Sequence, residues 1–296
     1  MTLADSLLVG DIRTLAPTLP PASIDCCVTS PPYFAQRDYG VAGQLGLEPT
    51  PQEYIAQLVG VFEAIRPALT DTATVWVNLG DAFVTNWGLG AKRASSWWSG
   101  NSGDACGKGW GDVETTIGAN SLRGKVREIG LKVKDLMLLP SRFAIAMQEA
   151  GWYLRQDIIW FKPDAMGETA KDRPHTKHEH VLLFSKSQKY HYDAEAVRQP
   201  SRDGKGQVHL GTVWTIPKNR SRTDHFATFP DVLVENCIRA GCPEGGLVLD
   251  PFFGSGTVGL VARRLSRRWV GVELNPAYAE VARLRLDGAA DREDAA

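Results

Sequence analysis

Little in this sequence points to export, a membrane or a metal. Its 296 residues hold five cysteines, and no two form a CxxC pair. Cys26 and Cys27 are adjacent, Cys106 is isolated, and Cys237 and Cys242 are five apart. That pattern excludes a disulfide scaffold and fits reduced thiols in a cytoplasmic protein. No apolar run approaches the ~18 residues that span a bilayer. The first residues show no basic stretch followed by an apolar one, so neither a signal peptide nor a membrane partner is expected. Excess charge is also lacking, with 33 Lys and Arg against 34 Asp and Glu. The chain is no globally basic coat for nucleic acid, and any such footprint must be a local patch. What is present is an ordinary share of hydrophobic residues, 43%, enough for a core without staples.

Strand and helix patterns alternate, which argues for an α/β fold with a mainly parallel sheet. β-prone runs occupy residues 24–29, 73–79, 153–161, 180–184, 247–249 and 269–273. Tyr54, Ile55, Leu58, Val59, Phe62 and Ile65 repeat at helical spacing. Further helices are expected over 135–150, 230–240 (with Gly241 as its stop), 258–265 and 276–286. Two polar stretches interrupt the alternation. Residues 86–134 are rich in Gly, Ser and Trp and carry a net charge of +4, and residues 162–222 carry +5. Long loops of this kind inside a compact unit are functional or disordered.

Near the C-terminus, Gly254-Ser255-Gly256-Thr257-Val258-Gly259 follows a strand and opens a helix, and Glu273 ends the next strand. Glycines let the backbone approach a ligand, and an acid at that strand tip can hold two ribose hydroxyls. The bland reading is a structural glycine turn. A nicotinamide dinucleotide is a second candidate, but Asp250, at the tip of the first strand, would repel a pyrophosphate and attract an ammonium or sulfonium. The loop therefore favours a zwitterionic ligand such as S-adenosylmethionine.

Thr29-Ser30-Pro31-Pro32-Tyr33 follows the run at 24–29. Two prolines fix the backbone and remove two N–H donors. They leave a rim of acceptors, the Ser30 hydroxyl and the Ser30 and Pro31 carbonyls, beside an aromatic plane. This rim suits an exocyclic amino group on a planar ring. Alone, such a segment is more simply a proline turn with a core tyrosine.

Together, TSPPY (29–33) and DPFFGSGT (250–257) resemble the amino-group DNA methyltransferases that modify cytosine N4 or adenine N6. Having the SPPY box before the cofactor loop is the order of the permuted beta class. Gly10-Asp11, VWVNLGD (75–81), IIWFKP (158–163), VWTIP (213–217), HFATFP (225–230) and GVELNP (271–276) extend the resemblance over nearly everything but the polar insertions. The chain is also similar to stand-alone methylases common in phages and prophages. The resemblance implies a single Rossmann-like S-adenosylmethionine-dependent methyltransferase domain over 1–296, with helices on both faces of the sheet and circularly permuted motifs. Asp11, Pro31, His225, Thr228, Asp250, Pro251, Phe252, Gly254, Ser255, Gly256, Thr257 and Glu273 would then bind the cofactor. Ser30, Pro31, Pro32 and Tyr33 would hold a flipped base. Double-stranded DNA is the implied substrate, with a cognate restriction endonuclease and homodimerisation as further expectations.

Ser30 in place of the Asp of many adenine methylases favours cytosine N4 over adenine N6. Residues 163–212 occupy the position of a short target-recognition region. Lys162, Arg173, Lys177, Arg202 and Lys205 are the candidate phosphate contacts. The 86–134 insertion, with Trp87, Trp97, Trp98 and Trp110, either contacts DNA or forms a lid. His175, His178, His180 and Glu179 lack a cysteine partner, and no metal is expected there.

Overall fold

The computed structural model describes residues 3–84, 130–201, 203–218 and 229–293. Along the chain run β1 (Ser6–Val9), α1 (Ile12–Leu15), β2 (Ile24–Thr29), α2 (Pro51–Ile65), β3 (Leu69–Leu79), α3 (Leu139–Glu149), β4 (Tyr153–Phe161) and β5 (His178–Ser185). There follow the short hairpin β6 (Gln199–Pro200) and β7 (Gln207–Val208), then β8 (Val213–Thr215), α4 (Asp231–Gly241), β9 (Leu247–Asp250), α5 (Thr257–Arg264), β10 (Arg268–Glu273) and α6 (Pro276–Glu293).

Eight strands make one sheet in the order β1-β10-β9-β2-β3-β5-β4-β8. The five from β1 to β3 run parallel, β5 runs antiparallel between β3 and β4, and β8 lies parallel to β4. Apolar side chains leave both faces. Val75 and Val77 join Tyr54, Leu58 and Phe62 of α2 and Phe143 and Met147 of α3 in one core. Trp76, between them, joins Leu233, Val234 and Ile238 of α4 and Val258 and Val261 of α5 in the other. A strand covered on both faces reads as an unbroken apolar run, as residues 75–77 do. Cys26 and Cys27 likewise point to opposite cores, fully buried.

The connections give the sheet a switch point. From β9 the chain moves outward to β10, whereas from β2 it moves the other way to β3. In open α/β sheets, ligands bind at the carboxyl ends of the strands beside such a reversal. The tips of β9 and β2, Asp250 and Thr29, flank it here.

Local features differ from the sequence expectation. β1, the β6–β7 hairpin and β8 have no counterpart among the expected strands, because runs of two to four residues carry too little periodicity. The helix expected from 135 starts at Leu139, with Pro140 in its first turn and Leu138 in the left-handed region at φ 57°. The preceding residues pair with 82–84 instead: Val84 N–H donates to Asp135 O (2.9 Å), Lys134 N–H to Val84 O (2.8 Å) and Met137 N–H to Ala82 O (2.8 Å). Gly241 does not stop α4 but ends it as a helical residue; a Cβ there would lie 2.3 Å from Thr74 Oγ1 and 2.4 Å from Trp76 Nε1. Its role is the close approach of helix to sheet. Finally, β5 runs through the middle of the 163–212 span, so only its flanks are free polar loop. Of the 86–134 insertion, all but residues 130–134 lies outside the described residues, and with it Trp87, Trp97, Trp98 and Trp110. Among the described residues no helix is long and apolar enough to cross a membrane.

Candidate active site

A cavity of about 1050 Å³, its open mouth included, lies along the carboxyl edge of the sheet. Its lining follows the strand order: Ser30 after β2, Asp250 ending β9, Glu273 ending β10, and Gly10-Asp11 after β1. Three inter-strand steps of ~4.8 Å separate the outer two strands, so the groove runs ~14 Å. Pro32, Phe229, Phe252, Tyr39 and Tyr278 add apolar and aromatic walls.

Asp250 is 2% exposed. Its Oδ1 accepts from the Thr29 hydroxyl (2.6 Å) and from Phe252 N–H (3.0 Å). Burial, with a smaller contribution from the Glu273 charge, raises its pKa to about 7. A buried acid with that pKa sits at the edge of ionisation, and a cation placed beside it would draw the proton off. Glu273 is also raised by burial. Its Oε2 accepts from Gly254 N–H and its Oε1 from Asn275 N–H, each at 2.8 Å. A carboxylate oxygen has two acceptor sites, so each can still take one further donor, such as a hydroxyl. Gly254 and Gly256 turn through the left-handed region (φ 52° and 83°), and a Cβ at Gly254 would meet nothing closer than Phe252 O at 3.9 Å. From behind, Arg285 Nη1 of α6 donates to Ser255 Oγ (2.9 Å) and Thr257 Oγ1 (3.0 Å). Arg285 thereby braces the loop from the side away from the cavity. This donor set fits a nucleoside with a cationic tail.

At the far end, Asp11 caps α1 by accepting from Arg13 N–H (2.8 Å). The Arg13 guanidinium hydrogen-bonds the same carboxylate and holds its pKa down. Arg13 also donates to Gly43 O (2.7 Å) and Gln57 Oε1 (2.9 Å). It ties the cavity floor to the loop between Tyr33 and α2, and that loop supplies Tyr39, Val41 and Leu45 to the lining.

The Ser30-Pro31-Pro32-Tyr33 segment leaves β2 directly beside Asp250. Pro31 is buried, and Ser30 and Pro32 face the cavity. The hydroxyl of Tyr54 donates to Pro32 O (2.9 Å), so that carbonyl is already engaged. The Tyr33 ring lies on the backbone of Gly80, where a Cβ would come within 2.7 Å of it. Its hydroxyl donates towards Glu179 Oε2 (2.7 Å) and Asn78 Oδ1 (3.0 Å). Burial and the Glu179 charge raise the phenol's pKa well above its ordinary value, so it stays protonated.

The candidate phosphate contacts fare differently. Lys177 and Lys205 are exposed. Arg173 is half-buried, ion-paired to Glu168 (2.5 Å) and stacked over Phe83 (3.6 Å). Lys162 corrects the expectation: it is 9% exposed and paired with Glu179 (2.5 Å), because IIWFKP ends behind the Tyr33 ring rather than at the surface. His225, Thr228 and Arg202 lie outside the described residues. His180 Nδ1 is 2.8 Å from Asp157 Oδ1, and Glu179 is engaged by Lys162 and Tyr33. Among the described residues no three His, Cys, Asp or Glu side chains gather as a metal site would require.

Several contributors escape sequence reasoning. Arg13 and Arg285 look like ordinary helical cations. Tyr54 reads as one more apolar position of α2. Asn78 sits inside a recognised motif and Glu179 beside the histidines, yet nothing in the sequence says that they meet.

A family model described as DNA methylase matches residues 24–284. The chain is 44% identical to the Type II methyltransferase M.XycI of Xanthomonas campestris pv. cyanopsidis, over 96% of this chain and 88% of that protein. It is 44% identical to M.Cfr9I of Citrobacter freundii over the same shares, and 41% identical to M.SmaI of Serratia marcescens, over 95% and 90%. Among solved structures, the PvuII DNA methyltransferase (cytosine-N4-specific) shares the fold with a TM-score of 0.66 at 23% identity, over 95% of this chain and 85% of that one. A putative DNA modification methylase of Thermus thermophilus, in complex with S-adenosyl-L-methionine, superposes with a TM-score of 0.60 at 24% identity, over 95% and 93%. The chain therefore belongs to the N6/N4 family of DNA methylases, an S-adenosyl-L-methionine-dependent methyltransferase fold acting on DNA.

Proposed function

We propose that this enzyme methylates the exocyclic N4 of cytosine at a specific site in double-stranded DNA, as the modification half of a restriction–modification pair. The observation that carries the base assignment is Ser30 at the rim of the cavity, next to Asp250. A serine hydroxyl accepts a hydrogen bond from an amino group without adding charge there. Relatives 41–44% identical bear the name Type II methyltransferase, which supports a cognate endonuclease as partner.

The cofactor supplies a methyl group on a sulfonium. Glu273 holds its ribose, Asp250 attracts the cationic tail, and the 250–257 loop gives the nucleoside a close-fitting wall, with Asp11 beside the base. The target amino nitrogen is a poor nucleophile because its lone pair is delocalised into the ring. Ser30 Oγ and a carbonyl of the proline rim accept hydrogen bonds from its two N–H groups and draw the nitrogen towards a pyramidal geometry, in which the lone pair points at the methyl group. The N–C bond would form as the C–S bond breaks, the sulfur leaving as a neutral thioether and the methylated nitrogen, then cationic, losing its surplus proton to water. The residues thus supply position rather than a strong base. Pro32 and the Tyr33 ring hold the base plane, and the exposed Lys177 and Lys205 lie on the loops expected to meet phosphates.

Incubating the purified protein with S-adenosyl-L-methionine and plasmid DNA, followed by nucleoside mass spectrometry, tests the assignment. N4-methylcytosine is expected. N6-methyladenine would overturn the argument from Ser30 and leave the cofactor site standing.

A further inference from the structure

Behind the Tyr33 ring lies a buried polar chain. Lys162 Nζ pairs with Glu179 Oε1 at 2.5 Å, the two side chains being 11% and 18% exposed. Glu179 Oε2 accepts from the Tyr33 hydroxyl (2.7 Å) and from Asn78 Nδ2 (3.1 Å). Asn78, 3% exposed, also donates to His180 O (3.1 Å). The four residues come from the segment after β2, from β3, from the residue after β4, and from β5. Desolvating an ion pair costs about what its attraction returns, and apolar replacements are often neutral or better for stability. A pair kept here, against the proposed base site, calls for another role.

A phenol has one proton to donate. Tyr33 spends it on Glu179, with Asn78 Oδ1 as a second acceptor, so the phenol oxygen can only accept from the other side. On that side is Ser30 Oγ, oriented to donate to it at 3.5 Å. That contact is long for O–H···O, and in it the phenol, its one proton spent on Glu179, can only be the acceptor. Ser30, donating to Tyr33, turns its lone pairs to whatever enters the cavity. Meanwhile the ring is pinned at its tip by Glu179 and along its edge by Gly80.

We propose that Glu179, with Lys162 as its counter-charge and Asn78 as its brace, is a positioning group for methyl transfer: it fixes the Tyr33 plane and sets Ser30 as an acceptor for the target amino group. The inference rests on the reading of Ser30–Tyr33 as the base site. Glu179 touches neither base nor cofactor. Its effect reaches the reaction only through Tyr33, and a coupling experiment can read that directly.

The test is a double-mutant cycle of Glu179→Gln and Tyr33→Phe, read as single-turnover transfer of labelled methyl to DNA, with cofactor Kd measured alongside. Glu179→Gln in the wild-type background is expected to slow transfer at least tenfold and to leave the cofactor Kd within twofold. In the Tyr33→Phe background, which has no hydroxyl to position, the same change should cost less than twofold. Lys162→Met should follow Glu179→Gln, and Lys162→Arg, which keeps the charge, should recover the rate to within threefold. An unchanged rate in Glu179→Gln, an equal further loss on Tyr33→Phe, or equal losses in Lys162→Met and Lys162→Arg would each overturn the proposal. The methylated nucleoside in the same digests judges the cytosine assignment separately, since the rate ratios do not depend on which base carries the label.

Discussion

The two halves proposed for this site, one for the cofactor and one for the base, are built in opposite ways. The cofactor half is local. Asp250 is held by Phe252 N–H two residues on, and Glu273 by Asn275 N–H two residues on and Gly254 N–H nineteen back, all within one β-α-β unit. The base half is assembled from afar. Tyr33 depends on Gly80, Asn78 and Glu179, up to 146 residues away, and Pro32 on Tyr54. A single β-α-β unit can bring its own carboxylates and glycines together wherever it folds. The rim exists only when β2, β3, β4 and β5 are in register. Substitutions should therefore separate the two halves: one half governs cofactor affinity, the other turnover.

The largest separation is expected from Tyr33→Ala. It removes the ring and its hydroxyl together and should lower single-turnover transfer by about a thousandfold or more, ~4 kcal/mol at 1.4 kcal/mol per decade, with cofactor Kd changed less than threefold. Calorimetry of cofactor binding beside the rate assay reads both. The converse is Glu273→Ala, which takes away both proposed ribose acceptors and frees two amides. Cofactor Kd should rise about a hundredfold, ~2.7 kcal/mol on the same scale, and the rate at saturating cofactor should stay within fivefold. If both constants moved together in either variant, the division of the site would be wrong.

A subtler probe is Gly80→Ala. Its Cβ would overlap the Tyr33 ring at 2.7 Å from backbone that cannot yield, so the ring must tilt. Transfer should slow about tenfold, with the cofactor Kd and the melting temperature of the cofactor-bound protein almost unaltered. The smallest expected effect is a pH dependence confined to the cofactor half. Asp250 has a pKa of about 7 in the free protein. Below that pH it is protonated and attracts no cation, so cofactor affinity should fall a few-fold per unit as pH drops from 7 to 6. The same raised pKa means that ionising Asp250 costs folding stability. Between its unfolded value near 4 and about 7 the folded state binds the extra proton, so this residue's contribution declines as pH rises through that window. In Asp250→Asn both trends should flatten, as titrations of cofactor Kd and of chemical denaturation at each pH would record.

The same division explains what is legible in the sequence. The alternation of strand and helix, the loop at 250–257 with Glu273 after it, and the proline rim at 30–33 are patterns of neighbouring residues, and each corresponds to an element or turn in the fold. Lys162 misleads because a lysine after a strand looks like a surface cation until the strand has a place in the sheet. Gly241 misleads because a glycine that permits close packing carries the same letter as one that stops a helix. Arg285, Arg13, Tyr54 and the meeting of Asn78 with Glu179 leave no trace in their own surroundings.

The sequence by itself determined the fold class, the methyl-transfer chemistry and the identity of the groups at the two strand tips. The fold class follows from local spacing, and the strand-tip groups from which side chains can accept, donate or stack; the methyl-transfer chemistry follows from the resemblance that the two motifs, in their order along the chain, bear to amino-group DNA methyltransferases. Only the tertiary structure decided that Thr29 would donate its proton to Asp250 across 221 residues, that Asp250 would be buried enough to titrate near neutrality, and that a lysine–glutamate pair would stand behind the base-site tyrosine. The reason is that burial and long-range pairing depend on which strands lie side by side, and strand order is a property of the whole sheet.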